Sequence, residues 1–157
     1  MTEDKRVAVV TGGAQGIGRR TSELLAERGF VLALIDLRMP EETIRAIEES
    51  GGAAMGFAGN IADETIVEQF TGEVLKRFRR ADVLVNNAGI SLISPAEKTS
   101  AQDYRRVLEV NLVAPFLLAK AFGSKMLEAG RGSIINVASV AGLLGIGDRA
   151  AYNASKH

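Results

Sequence analysis

Apolar residues along the chain cluster into five short runs that are apolar at nearly every position. Such a run is typical of a strand that is covered on both faces, as in parallel sheets. The predicted strands are residues 7–10, 30–35, 53–57, 83–85 and 133–138.

Between these runs, apolar residues recur at helical spacing. In segment 62–79 they fall on one side of a helix. These residues are Ile66, Val67, Phe70, Val74, Leu75 and Phe78. The other predicted helices are 17–28, 41–49 and 101–128, the last with Pro115 inside it. Strands that alternate with helices through short loops predict an α/β fold, a doubly wound parallel sheet of the Rossmann type in three αβα layers.

A sheet of this kind binds ligands beyond the carboxyl ends of its strands, and the first such loop carries Gly12, Gly16 and Gly18. Glycine allows a sharp turn and a close approach, and the helix that begins there offers free N–H groups to a pyrophosphate. Arg19 and Arg20 stand where a nucleotide hydrolase needs lysine and serine or threonine, which excludes that class. An ordinary strand-to-helix turn stays open for this loop alone.

Asp36 ends the second predicted strand. It follows the glycine loop at about the 20 residues where a carboxylate hydrogen-bonds an adenosine ribose. Aspartate is also a common turn residue and helix cap, but the nearby loop favours the ribose role. A carboxylate there would repel a 2′-phosphate, so NAD is predicted over NADP, although the nearby Arg38 weakens that preference.

Tyr152 and Lys156 would lie one turn apart on the same face of a helix. A free phenol is a poor base at neutral pH, and a neighbouring ammonium group stabilises the phenolate. Ser139, after the fifth strand, could hydrogen-bond a carbonyl or hydroxyl beside that phenol. For the pair alone, a surface contact between tyrosine and lysine remains the alternative.

Pro115 lacks an N–H, and its ring crowds the carbonyl four residues earlier, which belongs to Asn111. That carbonyl would lose its helical partner and could hold a water molecule. A simple kink of the helix is the alternative interpretation.

Composition limits the partners and the chemistry. The 157 residues carry 19 basic and 19 acidic side chains, which argues against a nucleic-acid or anionic membrane partner. The chain has no cysteine, and its single histidine is His157, so neither a metal site nor a Ser-His-Asp triad is expected. The apolar run after Glu3 and Asp4 is too short for a signal peptide or a membrane span, and a cytoplasmic location is expected.

Taken together, these motifs resemble the short-chain dehydrogenase/reductase family in its shorter single-domain branch. Residues 11–18 resemble its cofactor loop, and residues 86–89, Asn-Asn-Ala-Gly, resemble its second signature. Ser139, Tyr152 and Lys156 match its catalytic residues, and Asn111 matches the fourth member of the catalytic tetrad. The longer epimerase-like branch spaces its glycines differently and is a weaker match. The resemblance implies one NAD(P)-binding Rossmann domain over residues 1–157, incomplete at its carboxyl end.

The resemblance also implies the roles of these residues. Tyr152 would be the acid/base, and Lys156 would support it and bind the nicotinamide ribose. Ser139 would position the substrate oxygen, and the Asn111 carbonyl would hold a relay water. The implied reaction moves a hydride between NAD(H) and a secondary alcohol or ketone, of 3-oxoacyl thioester, sugar-acid or polyol type, without a metal. The implied cofactor residues are Gly12, Gln15, Gly16, Ile17, Gly18, Asp36, Asn60, Ile61, Asn87, Ala88 and Gly89, with Tyr152 and Lys156.

Two positions refine the expected cofactor. Relatives that prefer NADP often carry a basic residue where this chain has Gln15 and Leu37, which again favours NAD. Asn60 stands where relatives often have an aspartate near the adenine, and its amide oxygen can still accept a hydrogen bond. The family also implies a homodimer or homotetramer.

The chain departs from the family at His157, one residue after Lys156. Relatives continue through the rest of that helix, two further strands and a substrate-binding loop. Without them, segment 133–140 would form an exposed apolar edge strand that favours aggregation, and the last helix would fray. We therefore expect these residues to belong to a longer polypeptide. A non-catalytic dinucleotide-binding or interaction module is the alternative function.

Overall fold

A computed structural model describes residues 5–157, so Glu3 and Asp4 lie outside the described residues. Within that range a five-stranded sheet has the order β3-β2-β1-β4-β5, and every neighbouring pair is parallel. The strands are β1 Val7–Thr11, β2 Val31–Asp36, β3 Ala53–Ala58, β4 Val83–Asn86 and β5 Ser133–Asn136. The predicted doubly wound parallel sheet is confirmed, with its order reversing between β1 and β4.

Helices connect the strands as predicted. They are α1 Gly16–Glu27, α2 Glu41–Glu49, α3 Glu64–Phe78, α4 Ala101–Leu108, α5 Ala114–Glu128 and α6 Ala150–Lys156. Short 3₁₀ turns cover Ala96–Lys98 and Val140–Gly142. The third helix begins at Glu64, two residues later than predicted, because the Asp63 carboxylate accepts the Thr65 N–H at 2.9 Å and caps it.

Two apolar cores sandwich the sheet and confirm the three layers. One lies under α1 and α2 and includes Ala8, Val10, Leu32, Leu34 and Ile47. The other lies under α3 and α5 and includes Val9, Ile35, Phe70, Leu84 and Phe122. Each large side chain buried in this way stabilises the fold by about 1.5–3 kcal/mol.

The predicted helix 101–128 is interrupted by a π turn, Glu109–Val113, which the sequence did not predict. In this turn the Ala114 N–H donates to the carbonyl of Glu109, five residues earlier. Pro115 occupies the first turn of α5, where its missing N–H is tolerated. The predicted disturbance is therefore a wider turn just before the proline, which accommodates the ring that would crowd a regular helix.

This helical segment, Ala101–Glu128, is long and apolar enough to cross a membrane by length and composition alone. The core helix of a globular protein has the same features. Leu118 and Phe122 are fully buried against the sheet, whereas Phe116 and Leu127 are largely exposed, so one face of α5 serves the core.

β5 lies at the edge of the sheet and is shorter than the predicted 133–138. The Val137 N–H still donates to the Asn86 carbonyl at 3.0 Å, but regular pairing ends at Asn136. Ile134 and Ile135 are 40% and 48% exposed, whereas all of β1 is buried. The expected exposed apolar edge is present in this structure. The last helix, α6, is helical through Lys156.

Candidate cofactor and catalytic site

The glycine loop folds over the end of β2, where the Gly12 N–H donates to the Ile35 carbonyl at 2.8 Å. Gly12 has a φ of +68°, which favours glycine, and a Cβ there would lie 2.9 Å from Nδ2 of Asn87. A Cβ on Gly18 would collide with the Gly12 carbonyl. Gly18 therefore lies buried beneath the loop and supports it from below, and its predicted role in cofactor binding stays a prediction.

A hydrogen-bonded latch joins this loop to the segment after β4. Nδ2 of Asn87 donates to the Thr11 carbonyl at 2.9 Å and to the Gly12 carbonyl at 3.3 Å. In return, Oγ1 of Thr11 accepts the N–H groups of Asn87 and Ala88, at 3.1 and 3.0 Å. Thr11 was not predicted as a site residue. Its one signal is a hydroxyl directly before the first glycine.

The latch closes one side of a cleft of about 460 Å³ at the carboxyl ends of the strands. Its volume lies within the range of small-molecule and cofactor sites. Predicted cofactor residues on its wall are Gly12, Gln15, Gly16, Ile17, Asp36, Asn60, Ile61, Asn87, Ala88 and Gly89. Leu37, Gly59, Ala62, Ile90, Arg106 and Val110 complete it. Tyr152 and Lys156 are not on this wall.

The amino end of α1 faces the cleft with free donors. Gln15 is its N-cap residue and makes no capping hydrogen bond with its side chain, and the first turn has no acidic residue. A Cβ on Gly16, whose φ is +55°, would meet no atom of the described chain within 4 Å. Free N–H groups beside open space suit a pyrophosphate.

The Asp36 carboxylate lies on the wall with both oxygens in use. Oδ2 accepts the Ala14 N–H at 3.0 Å, and Oδ1 accepts the Leu37 N–H at 2.7 Å. Asn60 uses its amide oxygen in a similar local way, accepting the Ala62 N–H at 3.1 Å. Each oxygen keeps a second lone pair for a ligand.

A second cavity of about 380 Å³ adjoins this wall and includes two arginines, Arg19 and Arg38, and two glutamates, Glu41 and Glu42. Arg19 pairs with Glu42 at 2.9 Å and with Glu23 at 3.0 Å. Its hydrogen bond to Glu23 raises the pKa of Arg19. Arg38 forms no ion pair with any residue in the described range. The cavity is thus close to electrically balanced.

The side chain of Asn111, in the π turn, ties three segments together. Its Oδ1 accepts the Ile90 N–H at 2.8 Å, and its Nδ2 donates to the Ile90 carbonyl at 2.9 Å. Nδ2 also donates to Oγ of Ser155 at 2.9 Å, and that hydroxyl donates to the Tyr152 carbonyl at 2.8 Å. Neither Ile90 nor Ser155 was predicted as a partner of Asn111, because nothing in the sequence marks them as such.

Gly89 lies where the cleft meets these residues. A Cβ on Gly89 would lie 3.3 Å from Oδ1 of Asn111 and 3.9 Å from Nζ of Lys156. Nζ of Lys156 donates to the Val137 carbonyl at 2.8 Å. Asn111 and Lys156 also share a cavity of about 380 Å³ with Asn86, whose buried Oδ1 has no partner in the described part of the chain. The structure therefore brings Gly89, Asn111 and Lys156 together.

Tyr152 and Ser139 lie on elements that pack against each other. Tyr152 is half-buried, one turn before Lys156 in α6. Oγ of Ser139 accepts the Ala141 N–H at 3.2 Å and caps the turn Val140–Gly142, and a Cβ on Gly142 would collide with the Lys156 carbonyl. Across residues 5–157, no hydrogen bond joins the Tyr152 hydroxyl to Ser139 or Lys156. The hydroxyl of Ser139 serves as a cap in this structure.

Within the same range, no group of three or more histidine, aspartate or glutamate side chains could hold a metal ion.

The short chain dehydrogenase family model matches residues 6–157. The chain belongs to the short-chain dehydrogenase family. It is 41% identical over 155 residues to D-threitol dehydrogenase of Mycolicibacterium smegmatis, covering 98% of this chain and 60% of that relative. The chain thus spans about three fifths of the length of the curated relatives it matches.

Solved structures agree in fold. The crystal structure of a metagenomic short-chain oxidoreductase in complex with NADP is 37% identical, with a TM-score of 0.93. The match covers 96% of this chain and 70% of that one. Levodione reductase is 35% identical with a TM-score of 0.92, covering 97% of this chain and 61% of that one.

Proposed function

We propose that this protein is an oxidoreductase that transfers a hydride between NAD(H) and a secondary alcohol or ketone. The observation that carries the proposal is the position of Gly89. It lines a cleft suited to a dinucleotide, and its Cβ position lies within 4 Å of both Asn111 and Lys156. A cofactor in that cleft would reach the residues assigned to proton transfer.

The residues of the cleft fit a dinucleotide. The free N–H groups at the start of α1 would hold the pyrophosphate, because they combine open donors with the positive end of the helix dipole. Asp36 would accept hydrogen bonds from the adenosine ribose, with one lone pair available on each oxygen. Asn60 and Ile61 would lie beside the adenine, and Ala88 and Gly89 beside the nicotinamide half.

NAD is the proposed cofactor because a 2′-phosphate would meet the negative charge of Asp36. The neighbouring cavity adds Glu41 and Glu42, and one of its arginines, Arg19, is already engaged by two glutamates. Arg38 is the group that would favour NADP. Since a related structure binds NADP, the choice between the cofactors needs a direct measurement.

Proton transfer is assigned to Tyr152. When bound, the nicotinamide cofactor supplies or accepts the hydride. In reduction the Tyr152 hydroxyl donates a proton to the carbonyl oxygen, and in oxidation its phenolate takes the proton from the alcohol. The Lys156 ammonium has three N–H donors, so the bond to the Val137 carbonyl leaves two for the nicotinamide ribose.

The remaining roles are proposed from the resemblance to the family. Ser139 would hydrogen-bond the substrate oxygen, and the Asn111 carbonyl would hold a relay water. A 3-oxoacyl thioester, a sugar acid or a polyol is the proposed substrate class, and D-threitol, the polyol named for one relative, belongs to it. A cytoplasmic location and a homodimer or homotetramer are further parts of the proposal.

The test is cofactor binding followed by turnover. NADH fluorescence titration of the purified protein measures binding, and a panel of secondary alcohols with NAD, and of ketones with NADH, measures turnover. Tyr152→Phe is expected to lower kcat by about 10²-fold or more and to change the Kd for NADH far less. Tyr104→Phe alters the other tyrosine, half-buried in α4, and is expected to leave both values unchanged.

Each contrary result has a distinct meaning. Full activity in Tyr152→Phe would refute the assigned proton transfer. Binding of NADH without turnover would favour a non-catalytic dinucleotide-binding module, and absence of NADH binding would overturn the proposal.

A further inference from the structure

Thr43 lies in α2, away from the walls of the cofactor cleft, and its side chain is completely buried. Its hydroxyl donates to the carbonyl of Gly13, in the glycine loop, at 2.8 Å. Within residues 5–157 this carbonyl has no other hydrogen-bond partner. Because a buried carbonyl is costly to leave unpaired, the threonine holds this part of the loop in one orientation.

The carbonyl of Gly13 and the N–H of Ala14 belong to the same peptide unit. That unit is planar, so a rotation that moves the carbonyl also moves the N–H. The Ala14 N–H is the group that donates to Oδ2 of Asp36 at 3.0 Å. The peptide is therefore held at one end by Thr43 and at the other by Asp36.

This peptide limits how the Asp36 carboxylate can turn. The carboxylate also accepts the Leu37 N–H on Oδ1. Because Leu37 is the next residue in the chain, this bond ties the carboxylate only to its own stretch of backbone. The bond from Ala14 comes from a different segment and fixes Oδ2 against the glycine loop. Without it, the carboxylate could rotate about its side-chain bonds, and its free lone pairs would no longer point in fixed directions.

We propose that Thr43 is a positioning residue for cofactor choice, acting through the Gly13–Ala14 peptide to orient the Asp36 carboxylate. This inference rests on the proposed use of NAD. An oriented carboxylate accepts the ribose hydroxyls of NAD in good geometry and faces a 2′-phosphate with its charge. A loosened carboxylate loses part of both effects, so affinity for NADH falls more than affinity for NADPH.

The test compares Kd values for NADH and NADPH, measured on the purified protein by cofactor fluorescence. Thr43→Val keeps the shape and removes the hydroxyl. It is expected to weaken NADH binding about fivefold, as expected for one ordinary hydrogen bond, and to change NADPH binding less than about twofold. Thr43→Ser keeps the hydroxyl and is expected to preserve the ratio of the two Kd values. Circular dichroism checks the fold of each variant. Thr43→Ala is a second variant without the hydroxyl, and its ratio of the two Kd values is expected to match that of Thr43→Val.

Asp36→Asn supplies the coupling control. If Thr43 acts through Asp36, Thr43→Val has no further effect on the ratio in the Asp36→Asn background. An equal loss of affinity for both cofactors, or an unchanged ratio in both hydroxyl-free variants, would overturn the role of Thr43 alone. Wild-type protein that binds NADPH as tightly as NADH would overturn the NAD proposal and this inference together.

Discussion

The strands beside the proposed cofactor cleft and the strand beside the proposed catalytic residues differ in how completely they are buried. We call these two parts of the sheet the cofactor side and the catalytic side. On the cofactor side, every residue of β1 and the first five residues of β2 are buried between helices. On the catalytic side, all four residues of β5 are exposed. The segments that follow these strands differ likewise in how many hydrogen bonds hold them. Thr11 and Asn87 latch the glycine loop through both backbone and side chains, whereas the Tyr152 hydroxyl has no hydrogen-bond partner in the described chain.

This difference indicates that residues 5–157 hold the cofactor cleft more firmly than the proposed catalytic side chains. Buried apolar area and satisfied polar groups hold the cofactor cleft in place. The residues proposed for proton transfer are carried on α6, which is seven residues long, whereas α1 is twelve residues long. Because a short helix is less stable than a long one of similar burial, α6 is expected to exchange its amide hydrogens sooner than α1.

The largest expected effect comes from truncating matched positions on the two sides. Leu34 in β2 is fully buried, and Leu34→Ala is expected to lower the free energy of unfolding by about 2–5 kcal/mol, through lost burial and the cavity left behind. Ile135 in β5 is 48% exposed, and Ile135→Ala is expected to cost less than about 1.5 kcal/mol. Urea unfolding measures both values. Equal costs would contradict the difference in packing.

The second largest expected effect comes from a substitution beneath the glycine loop. Gly18→Ala would place a methyl group against the Gly12 carbonyl and Nδ2 of Asn87, which must then move. Overpacking of this kind is expected to cost about 1–3 kcal/mol, and NADH affinity is expected to fall with it. Gly72→Ala is the control, because its site in α3 is open and alanine favours a helix. Unchanged NADH binding in Gly18→Ala would refute the steric argument.

The smallest effect lies at Asp82, which links the two sides. Its Oδ2 accepts the Val7 N–H at 2.8 Å, and its backbone carbonyl accepts the Ser133 N–H at 2.9 Å. Burial alone raises the pKa of the Asp82 carboxyl. The hydrogen bonds from Arg80 and Val7, with the charges of Arg80 and Arg131, outweigh burial and hold that pKa below its ordinary value.

A lowered pKa in the folded state means stability that is present above the unfolded pKa of about 3.9 and lost as the pH falls through the folded pKa. Asp82→Asn is therefore expected to lower the free energy of unfolding by about 1–2 kcal/mol at pH 7, with the difference shrinking below pH 4. Unfolding curves across pH 3–7 measure it. A difference that grows in acid would have the wrong sign for this linkage.

Most of the fold could be predicted because its signals are local. Continuous apolar runs, helical spacing and glycine at turns each act within a few residues, and they located every strand and the main helices. The two errors have different causes. The side-chain cap of Asp63 on Thr65, two residues away, is a local signal that moved the start of α3. The π turn before Pro115 depends instead on how the helix accommodates the proline ring while packing on the sheet.

Some residues of the site could be predicted from the sequence and others could not. Gly12, Asp36 and Asn87 could be predicted from their residue type and from their position at or just after the end of a strand. All three line the cleft. Thr11, Thr43 and Ser155 are ordinary hydroxyl residues in the sequence, and their hydrogen-bond partners lie 76, 30 and 44 residues away. No local pattern can specify such a pairing.

Residue types and spacing thus determine the order of strands and helices, the glycine loop and the acidic residue that ends β2, since backbone sterics and burial act on neighbours. The burial of Gly18 beneath the loop and the convergence of Gly89, Asn111 and Lys156 depended on folding. So did the link from Thr43 to Asp36. Each requires segments distant in the chain to meet, and their meeting is governed by the parallel packing of the sheet and its two helical layers.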